Sequence, residues 1–141
     1  MGQKKLIRFA EILTFKNVLQ YPENTAGNWH EHFNNNKKVV LELACGKGEY
    51  AVGLAKRYPE RNFIGVDVKG NRIWVGAKKA LEAELQNVAF IRSQIGMIDG
   101  WARQIVVAMK RPGAGSPLAT CRLCSSMAMN SAKFTGTTTG Q

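Results

Sequence analysis

With 141 residues, 45% of them hydrophobic, the chain is long enough for one domain with a core of its own. No stretch reaches the roughly 18 apolar residues of a membrane span, and charges stand where a signal peptide needs its apolar region, so a cytoplasmic protein without a membrane partner is expected. Twenty Lys and Arg against ten Asp and Glu give a net charge of +10, which attracts polyanions in a salt-dependent way and carries no information about fold.

Residues 2–20 begin with Lys4, Lys5 and Arg8, and Phe9, Ile12 and Leu13 share a short helical face, which predicts a basic arm with a helical turn or two. Pro22, Asn24, Gly27 and the Asn34 to Asn36 triplet punctuate a loop, in which Trp29 and Phe33 are placed to anchor the arm on the domain. Val39 to Leu43 is a nearly continuous apolar run of the kind a parallel sheet buries on both faces, with Glu42 as its exception. Ala44 to Gly48 is a tight loop.

An amphipathic helix follows from Glu49 to Tyr58, with Ala51, Leu54, Ala55 and Tyr58 inward, and Pro59 ends it. A second strand from Phe63 to Asp67 closes on an acid. The next helix, over 71–86, turns Trp74, Ala77, Leu81 and Leu85 inward, and Val88 to Ile91 forms a third strand followed by Arg92, Ser93 and Gln94. Alternating strands and helices of these lengths give βαβ units, hence an α/β fold with a parallel sheet flanked by helices. Ligands in such sheets bind beyond the carboxyl ends of the strands, where the loops 44–48, 67–70 and 92–94 converge.

Beyond Gly100 the pattern is lost. Ile105 to Met109 reads as a short strand, but 111–141 is rich in Gly, Ser, Thr, Ala and Pro, has no acid, and keeps neither period, so it is expected to be a disordered tail. The chain thus divides into a basic arm and loop over 1–37, a nucleotide-binding half-domain over 38–110, and the tail. Cys121 and Cys124 make an isolated CxxC; with Cys45 and two histidines elsewhere, they fall short of a four-ligand zinc site, and no metal is expected.

Gly46, Gly48 and Ala51 match GxGxxG/A, and Asp67 lies about 20 residues on, the spacing of a dinucleotide fingerprint. An acid at that position accepts hydrogen bonds from ribose hydroxyls in NAD and in S-adenosylmethionine alike. Glu42 is the discriminator, since a buried acid at the strand end needs a partner: the methionine ammonium of S-adenosylmethionine would supply one, while a pyrophosphate would be repelled. Backbone donors are the other way to satisfy it.

Glu-Leu-Ala-Cys-Gly-Lys-Gly-Glu, Asn-Phe-Ile-Gly-Val-Asp-Val-Lys-Gly-Asn-Arg, Gly-Ala-Lys-Lys-Ala-Leu and Asn-Val-Ala-Phe-Ile-Arg, in that order, resemble the bacterial tRNA (guanine-N(7)-)-methyltransferase family over about residues 3 to 100. The resemblance implies a Rossmann-like class I methyltransferase fold, S-adenosylmethionine as donor, and a guanine of tRNA as acceptor. It also implies that Glu42 and the loop of Ala44, Gly46 and Gly48 hold the methionine part, Asp67 the ribose, and Gln94 the adenine edge.

Three departures bear on function, the first being Gln94, at a position that is often acidic in the family, though an amide can also serve the adenine amino group. Ala44 stands where the family has a glycine, a costly change if its φ is positive. The family's next strand ends in a Pro-Asp-Pro element near the acceptor guanine, yet Asp99 is the last acid here, so the C-terminal half of the fold reads as incomplete, through truncation or a shifted frame. No Ser/His/Asp or Cys/His arrangement exists, and no catalytic residue is assigned. Two other functions remain open: an RNA-binding remnant without catalysis, and an NAD-type oxidoreductase resting on Gly46, Gly48, Ala51 and Asp67 alone.

Overall fold

The computed structural model describes residues 2–23, 28–100 and 106–107; the expected tail at 111–141 and the Cys121/Cys124 pair lie outside them. Five parallel strands, β1 (Val18–Gln20), β2 (Val39–Leu43), β3 (Asn62–Asp67), β4 (Val88–Arg92) and β5 (Val106–Val107), form one sheet in the order β1-β4-β3-β2-β5. Helices α1 (Gln3–Glu11), α2 (Trp29–Phe33), α3 (Glu49–Arg57) and α4 (Gly70–Glu82) flank it. This is the parallel, helix-flanked Rossmann-like architecture expected from the sequence, and the expected short strand within 105–109 is β5.

Period-2 alternation decides which side chain faces which layer. Val40, Phe63, Val88 and Phe90 join Ala51, Val52 and Ala55 of α3 and Ile73, Ala77 and Ala80 of α4 in one core. Val39, Leu41, Ile64, Val66, Ala89 and Ile91 make the opposite core, closed by Trp29 and Phe33 of α2. Those two aromatics are therefore buried anchors, as expected.

Residues 2–20 do more than an arm would. After α1 and a short 3₁₀ turn (Ile12–Thr14), β1 pairs with β4 through Val18–Phe90 and Gln20–Arg92, and Ile12 is 1% exposed. Asn17 donates from Nδ2 to the Ala77 carbonyl at 3.0 Å and pins β1 to α4. A three-residue strand is too short for periodicity to disclose. Leu13, expected on the inward face with Ile12, instead points out at 73% exposure because the helix has tightened into the 3₁₀ turn.

The inward face of α4 is also rotated from the expected one. Ile73, Gly76, Ala77 and Ala80 are buried, while Trp74 and Leu81 sit half-buried on its shoulders. The helix ends at Glu82, four residues before the expected position. Gly76 causes the rotation, since only a residue without a Cβ lets α4 lie on the loop after β2. A Cβ there would meet the Lys47 carbonyl at 2.5 Å, Phe90 Cζ at 3.0 Å and Gly48 Cα at 3.1 Å.

Gly76→Ala is accordingly expected to lower stability by about 1–3 kcal/mol, the usual cost of overpacking, against a helix-propensity gain near 1 kcal/mol. A thermal melt measures it; a midpoint equal to or above that of the parent would contradict the close approach.

Candidate ligand site at the strand ends

The sheet order fixes where a ligand belongs. From β2 the chain proceeds outward through β3 and β4, then returns to the other side of β2 for β5, so the order reverses beside β2. A crevice beyond the carboxyl ends of the strands opens at such a reversal. The loop after β2 is at that point, flanked by the ends of β3 and β4.

Three residues of this loop have left-handed backbone: Ala44 at φ 56°, Gly46 at φ 58° and Gly48 at φ 66°. Gly46 faces open space, whereas a Cβ at Gly48 would meet the ring of Phe90, with Cζ at 2.8 Å. Gly46 is thus glycine for its φ, and Gly48 for both φ and room. Ala44 has neither excuse, and its left-handed backbone is the costly case for the departure noted in the sequence.

Asp67, 8% exposed at the end of β3, holds the loop. Its Oδ2 accepts the Gly46 N–H at 2.9 Å and its Oδ1 accepts the Lys69 N–H at 2.8 Å. The Cys45 N–H donates to the Val66 carbonyl at 2.8 Å, and the Ser93 N–H to the Asp67 carbonyl at 3.2 Å, so the three strand ends are tied laterally. The carboxylate that the sequence assigns to a ribose is also the strap on the glycine loop.

Glu42 has a backbone partner, one of the two kinds the sequence left open. It is 9% exposed, and Oε2 accepts the Ala51 N–H in the first turn of α3 at 3.0 Å. A backbone donor thus meets part of its need. The helix end that would otherwise offer N–H groups and a positive dipole to a ligand's phosphate already carries this internal anion.

Cys45 is buried and feels both carboxylates: burial, then Glu42, then Asp67 push its thiol well above the ordinary range. A thiol held protonated is a poor nucleophile. Gln94 is exposed just past β4, ahead of the 3₁₀ turn Ile95–Gly100, and its carbonyl accepts the Met97 N–H at 3.1 Å. Glu42, Ala44, Gly46, Gly48, Asp67 and Gln94 thus all belong to the three strand-end segments bordering the crevice.

Sequence reasoning placed Arg92 and Ser93 at the crevice without giving either a role. Arg92 ends β4, donates from Nη1 to Gln20 Oε1 at 3.0 Å and from Nε to the Val68 carbonyl at 3.4 Å, and fastens the N-terminal segment beside the crevice. Only the unrecognised strand β1 could have announced its contact with Gln20. No group of three or more His, Cys, Asp or Glu suited to a metal exists among the described residues. A hollow of about 370 Å³ between Lys16, Leu81, Glu84, Leu85 and Gln86 opens at the other, amino-terminal end of the strands and is not part of this site.

Residues 36–101 match the protein-family model described as "Putative methyltransferase". Similar curated proteins named tRNA (guanine-N(7)-)-methyltransferase include those of Christiangramia forsetii, 51% identical over 70% of this chain and 49% of its own length, and Bacteroides fragilis, 45% identical over 70% and 43%. That of Porphyromonas gingivalis is 48% identical over 61% of this chain and 40% of its own. The chain therefore spans somewhat under half the length of these relatives. Among solved structures, the 16S rRNA methyltransferase KamB is 17% identical with a TM-score of 0.47, covering 79% of this chain and 75% of that one. PKMT2 from Rickettsia typhi, in complex with AdoHcy, is 21% identical with a TM-score of 0.46, covering 72% and 18%. The resemblance read from the residues is upheld by the curated relatives.

Ala44→Gly is expected to stabilise the protein by about 1 kcal/mol, by removing the Cβ from a left-handed position. Chemical denaturation measures it, and an unchanged or lower midpoint would contradict the strain.

Proposed function

We propose that this chain is the donor-binding part of an S-adenosylmethionine-dependent methyltransferase that acts on N(7) of a guanine in tRNA. The observation that carries the reading is Glu42 on the first turn of α3. A dinucleotide would bring its pyrophosphate to that helix end and meet a carboxylate there; a donor whose nearby group is an ammonium would meet attraction. The relatives' names supply the tRNA and the guanine, and the NAD-type alternative is left with the glycines and Asp67 alone.

The residues fit such a donor in kind. Asp67 has lone pairs beyond the two amides it accepts, enough for ribose hydroxyls. Glu42 and the backbone of Ala44, Gly46 and Gly48 would border the methionine part, and Gln94 would offer an amide to the adenine edge. A bound sulfonium supplies an already activated methyl group. The chain's own task is then positioning: Asp67 fixes the loop, and Phe90 under Gly48 sets its height.

No covalent nucleophile is required, in keeping with the protonated Cys45. The acceptor guanine nitrogen brings its own lone pair. The Pro-Asp-Pro acid that the family resemblance leads one to expect near the guanine is not in this sequence, so the chain alone binds the donor but transfers methyl groups poorly.

Calorimetry with S-adenosylmethionine, run beside a thermal melt and a tritiated methyl-transfer assay on bulk tRNA, tests this. Donor binding is expected in the parent and about tenfold or more weaker in Asp67→Ala, the scale of a lost charge-assisted hydrogen bond. A folded protein that binds no donor, or that binds NADH instead, would contradict the reading.

A further inference from the structure

Outside the crevice, a ridge along α1 and α4 alternates cations with aromatic rings. The Arg92 guanidinium lies 5.3 Å from the centre of the Phe9 ring and 5.6 Å from that of Tyr21, with Lys5 Nζ 6.0 Å from Phe9. One turn along α4, Arg8 and Lys78 both stand over Trp74, at 4.6 and 4.8 Å. Gly70, Trp74 and Lys78 are spaced four residues apart on α4, so the ridge runs about 12 Å along it. Gly70 leaves room for the first group: a Cβ there would meet Arg92 Nε and Phe9 Cε1, both at 3.2 Å.

No cation of this ridge is in an ion pair among the described residues. The ion pairs among the described residues are His30–Glu31 and Arg61–Glu60, neither of them here. Glu11, the one acid of α1, accepts the Trp74 indole N–H at 2.7 Å, which orients the ring and brings one carboxylate to a ridge of four cations. Rings place the cations without cancelling them, since the attraction comes from the ring quadrupole. Trp74 and Phe9 are half-buried and fixed by packing.

The ridge is continuous with the crevice. Arg92, its first member, is hydrogen-bonded to the Val68 carbonyl, next to Asp67. We propose that this ridge, with Lys5, Arg8, Lys78 and Arg92 as its cations, is a binding track for the phosphate backbone of an RNA strand leading to the crevice. The inference rests on the tRNA reading for the identity of the polyanion. The cations supply phosphate contacts, which position a strand without reading its sequence.

Lys56 and Arg57 on α3 provide the control, because Arg57 also stands over a ring, Tyr58, at 5.7 Å, yet lies off the ridge. Fluorescence anisotropy of the full chain with labelled tRNA, at several salt concentrations, should show Arg8→Gln/Lys78→Gln binding roughly tenfold more weakly near 0.15 M salt. The slope of log K against log salt should flatten by about 1.4 to 1.8, as expected when two phosphates are no longer neutralised by the protein. The charge-preserving pair Arg8→Lys/Lys78→Arg should bind like the parent, and so should Lys56→Gln/Arg57→Gln.

Equal losses for the ridge and control pairs would overturn the track, as would no loss at the ridge. Tighter, ridge-dependent binding to phosphatidylserine vesicles would assign the surface to a membrane and overturn it likewise. Calorimetric donor binding, measured on the same variants and expected to be unchanged, keeps this test separate: absent donor binding with ridge-dependent tRNA binding would reject the methyltransferase reading and keep the track.

Discussion

The position of the ring of Phe90 governs this structure. It is completely buried in β4, and three glycines from three other segments border it: Gly48 in the loop, Gly65 in β3 and Gly76 in α4. A Cβ on Gly65 would meet Phe90 Cδ1 at 2.9 Å and Cys45 Sγ at 3.0 Å, and those on Gly48 and Gly76 would also crowd the ring. Backbone therefore closes on the ring from the loop, the sheet and the helix. The height of the loop above the strands, the rotation of α4 and the seat of Cys45 follow from that contact. A packing constraint deep in the sheet thus shapes a ligand loop at its edge.

Two carboxylates complete that loop by capturing backbone amides. Asp67 holds Gly46 and Lys69, and Glu42 holds Ala51, so both acids accept hydrogen bonds before any ligand arrives. Such bonds to an ionised acceptor are stronger than neutral ones, and here they preorganise the crevice. They also set its electrostatic character. The first turn of α3 keeps its dipole for an internal anion, and the left-handed Ala44 is carried as strain beside it. In the proposed reading, a loop held by two carboxylates would face a small cationic group and the basic ridge beside it a polyanion.

Much of this was legible in the residues. The alternation from Val39 to Ile91 placed three strands and two helices within a few residues of their observed ends, because each strand is apolar on both faces and each loop carries Gly, Pro or an acid. The site residues fell at strand ends for the same reason. Strand β1 was not legible: Val18 to Gln20 is too short for a period and is held by register with β4 and by Asn17. The face of α4 was misjudged because Gly76 draws its helix inward, a tertiary effect that a hydrophobic pattern centred on Trp74 does not contain. Neither the Ala51 amide as partner of Glu42 nor the left-handed backbone of Ala44 was legible, since both depend on how the loop after β2 meets α3.

Amide chemical-shift mapping of the full chain during titration with S-adenosylhomocysteine addresses the central claim most directly, since it reports both binding and place. The expected result is saturable shifts at Gly46, Lys47 and Gly48, at Asp67 to Lys69, and at Ser93 and Gln94. A folded protein without shifts, shifts confined to the hollow around Lys16 and Gln86, or the same shifts with a nicotinamide dinucleotide would contradict it.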